Sequence, residues 1–187
     1  MIQIMLMELG TQVQRKKGDV ILSQGQVGNT IFFVKSGLIK AFYTTKDGNE
    51  FIKSFLQDGE IITSLSCYAL AEPSPFSLIC LEDSELLQIP FEAFKNLANN
   101  DTDFARGVIT MLTNLLMKKE QREYEFLCLS AEERFELLFS TAPHLLNRIK
   151  QQDIARYLGI TPVALSRIRS KMTNIPKLRL NKRELNF

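Results

Sequence analysis

Between Thr161 and Lys171 the chain sets Thr161, Ser166, Arg167, Arg169, Ser170 and Lys171 among the apolar Val163, Leu165 and Ile168. Hydroxyl, guanidinium and ammonium groups of this kind donate hydrogen bonds to phosphate oxygens and to base edges. The spacing predicts a helix in which Leu165 and Ile168 turn inward and Ser166, Arg167, Arg169 and Ser170 occupy the other faces. Thr161 suits the N-cap, and Pro162 suits the first helical position, where a missing N–H costs nothing. Upstream, Ile154 and Leu158 stand four apart on one face, Ala155 is small enough to let a second helix cross closely, and Gly159 can take the left-handed conformation that ends a helix. Two short helices joined in this way form a helix-turn-helix. Its second helix enters the major groove by its N-terminal end, here Pro162, Val163 and Ser166. Arg167 and Arg169 are candidates for base-edge or phosphate contact, roles that geometry alone does not separate. The plain alternative is a pair of packed helices whose arginines face water.

Charge is distributed to suit the first reading. The chain has 23 Lys/Arg and 21 Asp/Glu, a net +2, yet residues 1–125 carry 12 basic and 16 acidic side chains, a net −4, and residues 126–187 carry 11 and 5, a net +6. The last 40 residues alone hold 10 basic and 2 acidic side chains, a net +8. An acidic body thus precedes a basic end able to face a polyanion, and phosphate neutralisation supplies most non-specific affinity. Lys177, Arg179, Lys182 and Arg183 extend the basic surface; Lys177-Leu178-Arg179-Leu180 alternates like a strand and is compatible with a small wing or with a loosely ordered tail.

The elements that must position these groups change character along the chain. From Gln12 to Pro90, short apolar or alternating runs such as Thr30 to Val34, Leu38 to Tyr43, Phe51 to Leu56, Phe76 to Cys80 and Ser84 to Ile89 are broken by turns at Gly18, Gly37, Gly48 and Gly59. Such runs predict a β-sandwich or jelly-roll barrel. After Pro90 a short helix is expected over Phe91 to Leu97. A long one follows from Phe104 to about Cys128, with Val108, Leu112, Leu115, Lys119 and Arg122 recurring every three or four residues. That helix outgrows what a small barrel needs for cover, so part of its stripe is expected to pair with a second copy. Ser130 to Glu133 reads as a capping box opening the next helix.

Several chemistries are disfavoured. Cys67, Cys80 and Cys128 are odd in number and widely spaced, so they suggest reduced, buried thiols, not a disulfide framework or a compact metal motif. A four-thiolate iron–sulfur cluster lacks ligands. His144 is the single histidine and reads as structural or superficial, which makes a haem ligand a poor reading. No nucleophile elbow, P-loop or histidine-rich metal motif occurs, so an enzyme is not expected, nor a metal or other cofactor. With no apolar stretch near the 18 or so residues of a membrane span, and no basic region before the apolar start, the chain reads as cytoplasmic.

Taken together, Gly18-Asp19-Val20-Ile21-Leu22-Ser23-Gln24-Gly25 with Ile31 to Lys40, then Phe55-Leu56-Gln57-Asp58-Gly59-Glu60, then Asp153 to Pro162 running into Leu165-Ser166-Arg167-Ile168-Arg169, make nearly the whole chain resemble the Crp/Fnr-type bacterial transcription regulators. The resemblance implies an α+β fold: an N-terminal jelly-roll β-barrel of the cyclic-nucleotide-binding type over residues 1–100, a dimerisation helix over 101–128, and a winged helix-turn-helix over 129–187. It implies a homodimer on double-stranded DNA at an imperfect palindrome, and it admits RNA polymerase as a partner.

Two departures from the family pattern stand out. In cyclic-nucleotide-responsive relatives a phosphate-binding cassette begins with glycine and glutamate, matched here by Gly59 and Glu60, and continues to an arginine and a small hydroxyl residue. The corresponding stretch, Leu70 to Ser77, has no cation, and Glu72 would repel a phosphate. Cyclic AMP and cyclic GMP are therefore not the expected ligands. Gly59, Glu60, Cys67, Tyr68, Ser74, Phe76 and Ser77 remain candidates to line a pocket for an uncharged effector, or simply to fill it. In the recognition helix, Val163 stands where the family commonly has a base-reading glutamate, whereas Arg167 keeps the position of a family arginine that contacts bases. Arg167 is the principal candidate for base readout and Thr161 for a phosphate contact, with Pro162, Val163, Ser166, Arg169, Ser170 and Lys171 around them. The competing class is a sensory or protein-interaction module of the same fold that has lost DNA readout or that needs an unidentified effector.

Overall fold

The computed structural model describes residues 2–173. The chain divides into two compact units between Leu129 and Ser130. The first contains α1 (Ile2–Leu9), β1 (Thr11–Arg15), β2 (Val20–Leu22), β3 (Thr30–Ser36), β4 (Ile39–Thr44), β5 (Glu50–Leu56), β6 (Ile61–Ile62), α2 (Leu65–Leu70), β7 (Ser77–Cys80), β8 (Ser84–Pro90), α3 (Phe91–Asn100) and α4 (Thr102–Cys128).

The strands form two four-stranded antiparallel sheets, ordered β1-β8-β3-β6 and β2-β7-β4-β5. This corrects the expected jelly-roll barrel: neither sheet closes, and among the described residues no ladder joins an edge strand of one to an edge strand of the other. A physical reason is that β2 has three residues and β6 only two, too short to carry a hydrogen-bonded ladder across the gap. The result is an open sandwich. Its core draws Leu22, Ile39, Ala41, Leu56, Leu78 and Cys80 from one sheet, with Phe76 just before β7, and Phe32, Val34, Ile62 and Leu86 from the other.

Strands β3 and β8 are apolar on both faces. Phe32, Val34 and Leu86 fill the sandwich, while Ile31, Phe33, Leu87 and Ile89 pack outward with Leu6 of α1, Phe94 of α3 and Phe104 of α4. This explains why Ile31 to Val34 reads as a continuous apolar run and not as an alternation. Asp101 separates the two helices, and its carboxylate accepts from the Phe104 N–H at 2.8 Å, so α4 begins earlier than its apolar periodicity suggests. Turn geometry is tightest at Gly37, where φ is +116° and a Cβ would stand 2.2 Å from Ser84 Oγ.

The second unit contains α5 (Ala131–Thr141), α6 (Pro143–Leu146), α7 (Gln151–Leu158) and α8 (Pro162–Thr173). Its helices bury Phe135, Leu145, Ile149, Ile154, Ala155, Leu158, Leu165 and Ile168. The capping box is present: Glu133 N–H donates to Ser130 Oγ at 3.3 Å and Ser130 N–H to Glu133 Oε2 at 2.7 Å. Those bonds hold the Glu133 carboxyl below its ordinary pKa. The wing considered at Lys177 to Leu180, with Arg179, Lys182 and Arg183, lies outside the described residues.

Candidate nucleic-acid interface and effector site

Helix α7 ends on Gly159 in the left-handed region, φ 70° and ψ 30°, with the Ile160 N–H donating back to the Ala155 carbonyl at 3.0 Å. A side chain with a Cβ would be strained in this conformation. Arg134 of α5 adds a second brace by donating to the Leu158 carbonyl at 3.0 Å, a cation on the negative end of α7. Two residues after Gly159, Thr161 Oγ1 accepts from the Ala164 N–H at 3.2 Å and caps α8. Leu165 and Ile168 then anchor α8 in the core.

That anchoring leaves Pro162, Val163, Ser166, Arg167, Arg169, Ser170 and Lys171 exposed, with Val163 62% exposed. Arg167 has no hydrogen-bond or ion-pair partner among the described residues, so its guanidinium keeps its full donor capacity. Lys171 does not: its Nζ donates to Glu132 Oε1 at 2.6 Å, which ties the last turn of α8 to the first of α5. Ser170 Oγ donates to the Ser166 carbonyl at 3.0 Å. Beside Ser166, Arg169 and Ser170 lies a shallow polar hollow completed by Gln151 at the start of α7. Gln151 is a member of this surface that the motif did not single out; its place at the first turn of α7, facing α8, was the available signal.

The residues proposed for an effector pocket do not gather into one lining. Gly59 forms a left-handed turn, φ +83°, with its N–H on the Val34 carbonyl at 2.8 Å. Glu60 accepts from the Gln57 N–H at 2.9 Å and from Lys118 Nζ at 2.5 Å, so its carboxylate joins a turn to α4. Ser74 is buried and donates to the Phe76 carbonyl at 2.8 Å, and Ser77 Oγ accepts from the Gln24 N–H at 2.8 Å. Cys67 is buried with Sγ 3.6 Å from the Gln26 carbonyl. Tyr68 stacks on Phe91 of α3 at 3.4 Å between centroids, with Lys95 Nζ 5.7 Å from its ring. Only Phe76, among these seven, belongs to the sandwich core. Ser64, which the sequence reading passed over, buries a hydroxyl with no partner among the described residues.

Along α4 the five stripe residues fall on different sides. Val108 is half-buried against the α1–α3 cluster, and Arg122 donates to the Ile52 carbonyl of β5 at 3.1 Å. Lys119 is half-buried; burial, and then Lys119 and Arg122, push the Lys53 amine down to about 7. Leu112 and Leu115 are exposed, together with Ile109, Leu116, Met117 and Leu127. His144 is exposed on α6, and among the described residues no cluster of three or more His, Cys, Asp or Glu could hold a metal ion. No helix among them is long and apolar enough to cross a membrane.

Residues 12–101, covering β1 to β8 and α3, match the family model of the cyclic nucleotide-binding domain. The chain is 26% identical over 179 residues to electron transport regulator A of Shewanella oneidensis, covering 86% of this chain and 70% of that protein. It is 28% identical over 165 residues to the transcriptional activator protein Anr of Pseudomonas aeruginosa, covering 82% and 66%. A Crp/Fnr-family regulator structure from Eubacterium rectale superposes with a TM-score of 0.71 at 17% identity, covering 95% of this chain and 85% of that one. The chain thus spans about two thirds of the length of the curated relatives it matches. With a cyclic-nucleotide-binding-type sandwich, a long helix and a helix-turn-helix in this order, the chain is similar to the Crp/Fnr family of transcription regulators. That is a family of transcription factors, not of enzymes.

Proposed function

We propose that this chain is a sequence-specific DNA-binding transcription regulator that works as a cytoplasmic homodimer and does not respond to cyclic AMP or cyclic GMP. The observation that carries the reading is the exposed N-terminal half of α8, with Arg167 uncommitted, on a helix pinned by the Gly159 turn, the Thr161 cap and the buried Leu165 and Ile168. Rigid seating of this kind is what base readout requires, because a side chain must meet a base edge within a few tenths of an ångström. Arg167 reads a base, Thr161 and Arg169 hold phosphates, and Val163 packs on a thymine methyl. Lys171, engaged by Glu132, contributes to the field more than to a direct contact. Two such helices in a two-fold dimer would meet successive major grooves about 34 Å apart, which makes the operator an imperfect palindrome. RNA polymerase is the partner through which such a protein would act on transcription.

Three features of the chain support indifference to cyclic nucleotides. The loop 70–77 has no cation, the Ser74 and Ser77 hydroxyls are engaged, and the Glu60 carboxylate is held by Lys118. Arg167→Ala tests the reading: it should cost about 1–3 kcal/mol on the operator and little on random duplex. Equal loss on both would move Arg167 to the backbone.

A further inference from the structure

The second unit sets a carboxylate beside the side of α8 that would meet a duplex. Val163, Arg167 and Lys171 follow one another at intervals of four, so they share one side of α8, and all three are exposed. Arg167 has its donors uncommitted among the described residues, whereas Lys171 Nζ donates to Glu132 Oε1 at 2.6 Å. Glu132 stands in the first turn of α5 next to Glu133, and the two carboxylates have different partners. Glu133 closes the capping box with Ser130, at 2.7 Å and 3.3 Å, and so satisfies the start of its own helix. Glu132 takes no part in that box and bonds across to α8 instead.

A cation on the duplex-facing side of a recognition helix adds affinity by displacing counterions from the phosphates, whatever the base sequence. A carboxylate already bonded to that cation competes with phosphate for it and also repels the phosphate. The Lys171 and Glu132 side chains are 67% and 51% exposed, and a pair this exposed is worth at most about fivefold in an equilibrium constant. A duplex can therefore break it, at a cost of that order. We propose that Glu132 sets the strength of sequence-independent DNA binding: it occupies Lys171 in place of a phosphate and holds down the electrostatic share of the affinity, so that base readout by Arg167 carries more of the total. This role rests on the reading of α8 as a DNA-contacting helix, and it assigns to α5 a residue that opposes that contact.

The test uses the full chain and a random duplex, so it needs no operator. Fluorescence-anisotropy affinities are followed from about 50 to about 300 mM salt for the wild type, Glu132→Gln, Lys171→Met and the double variant. Glu136→Gln, which removes the same charge one turn further along α5, serves as the control. Glu132→Gln is expected to bind about fivefold more tightly at about 150 mM salt, with log K falling more steeply against log salt by about 0.9, the increment of one further phosphate contact. Lys171→Met should change little alone and should abolish the gain when combined with Glu132→Gln. Glu136→Gln should reproduce only a small part of it. Weaker binding by Glu132→Gln would overturn the proposal, because a pair that only staples α8 to α5 loses affinity when it is cut. An equal gain in Glu136→Gln, or a gain that survives Lys171→Met, would overturn it too, since Glu132 would then be one negative charge among several. If neither the wild type nor any variant binds a duplex, the reading of α8 falls and this role with it; a wild type that binds and is matched by Glu132→Gln removes the role of Glu132 alone.

Discussion

Lys118 Nζ donates to Glu60 Oε1 at 2.5 Å, joining the middle of the long helix to the turn before β6. The family resemblance offers Glu60 as the start of a phosphate-binding cassette. Instead its other oxygen accepts from the preceding Gln57 N–H. The carboxylate therefore holds a turn and a helix. We expect calorimetric titration with cyclic AMP to give no saturable heat up to about 1 mM, corresponding to binding weaker than about −4 kcal/mol. Micromolar binding would show that the sandwich rearranges to release these groups.

Gly37 should tolerate no side chain. Its φ of +116° is strained for any residue with a Cβ, and that atom would lie 2.2 Å from Ser84 Oγ and 2.9 Å from Ser84 Cα. Since Ser84 Cα is backbone of β8, relief requires the β3–β4 turn to move. Gly37→Ala is expected to cost about 3 kcal/mol or more, read from urea denaturation. A loss under about 1 kcal/mol would mean that the turn relaxes freely.

Much of this architecture was legible in advance because it depends on local rules. Gly159, Thr161 and Pro162 mark the helix-turn-helix through capping chemistry, and Ser130 with Glu133 marks the start of α5. The α1 helix, the short α2 and the one-residue break at Asp101 were less visible, because apolar packing and one cap decide them more than periodicity does. Sheet closure was not legible at all: the lengths of β2 and β6 depend on tertiary hydrogen bonding, which a run of apolar residues does not report. The effect of Lys119 on Lys53 was hidden for the same reason, since 65 residues of chain lie between them.

The exposed side of α4 carries Ile109, Leu112 and Leu116, 64%, 45% and 67% exposed, at helical spacings of three and four. Such a stripe suits pairing with a second copy. Leu116→Glu should convert a dimer to a monomer in sedimentation velocity while leaving the circular dichroism spectrum unchanged. A wild-type monomer at tens of micromolar would remove this helix from the account.

Stability should rise with pH through the window set by Lys53. An unfolded lysine titrates near 10.5, whereas this one is pushed down to about 7 by burial and by the neighbouring Lys119 and Arg122. Between those values the unfolded chain binds a proton that the folded chain does not, so raising the pH favours folding; below about 7 the penalty is fully present. The charged groups acting on the amine are Lys119 and Arg122 from α4, and its Nζ lies over the Phe76 ring. Lys53→Met should therefore be more stable than wild type at about pH 6.5, with the gap closing towards about pH 9.5. A gap that widens as pH rises would contradict the placement of Lys53.

The most direct test of the central claim is selection of genomic fragments by the purified chain, followed by fluorescence-anisotropy affinities for the selected and random duplexes at about 150 mM salt. The account predicts an imperfect palindrome preferred by about 100-fold or more, near 2.7 kcal/mol. Equal affinity for selected and random duplex would contradict it.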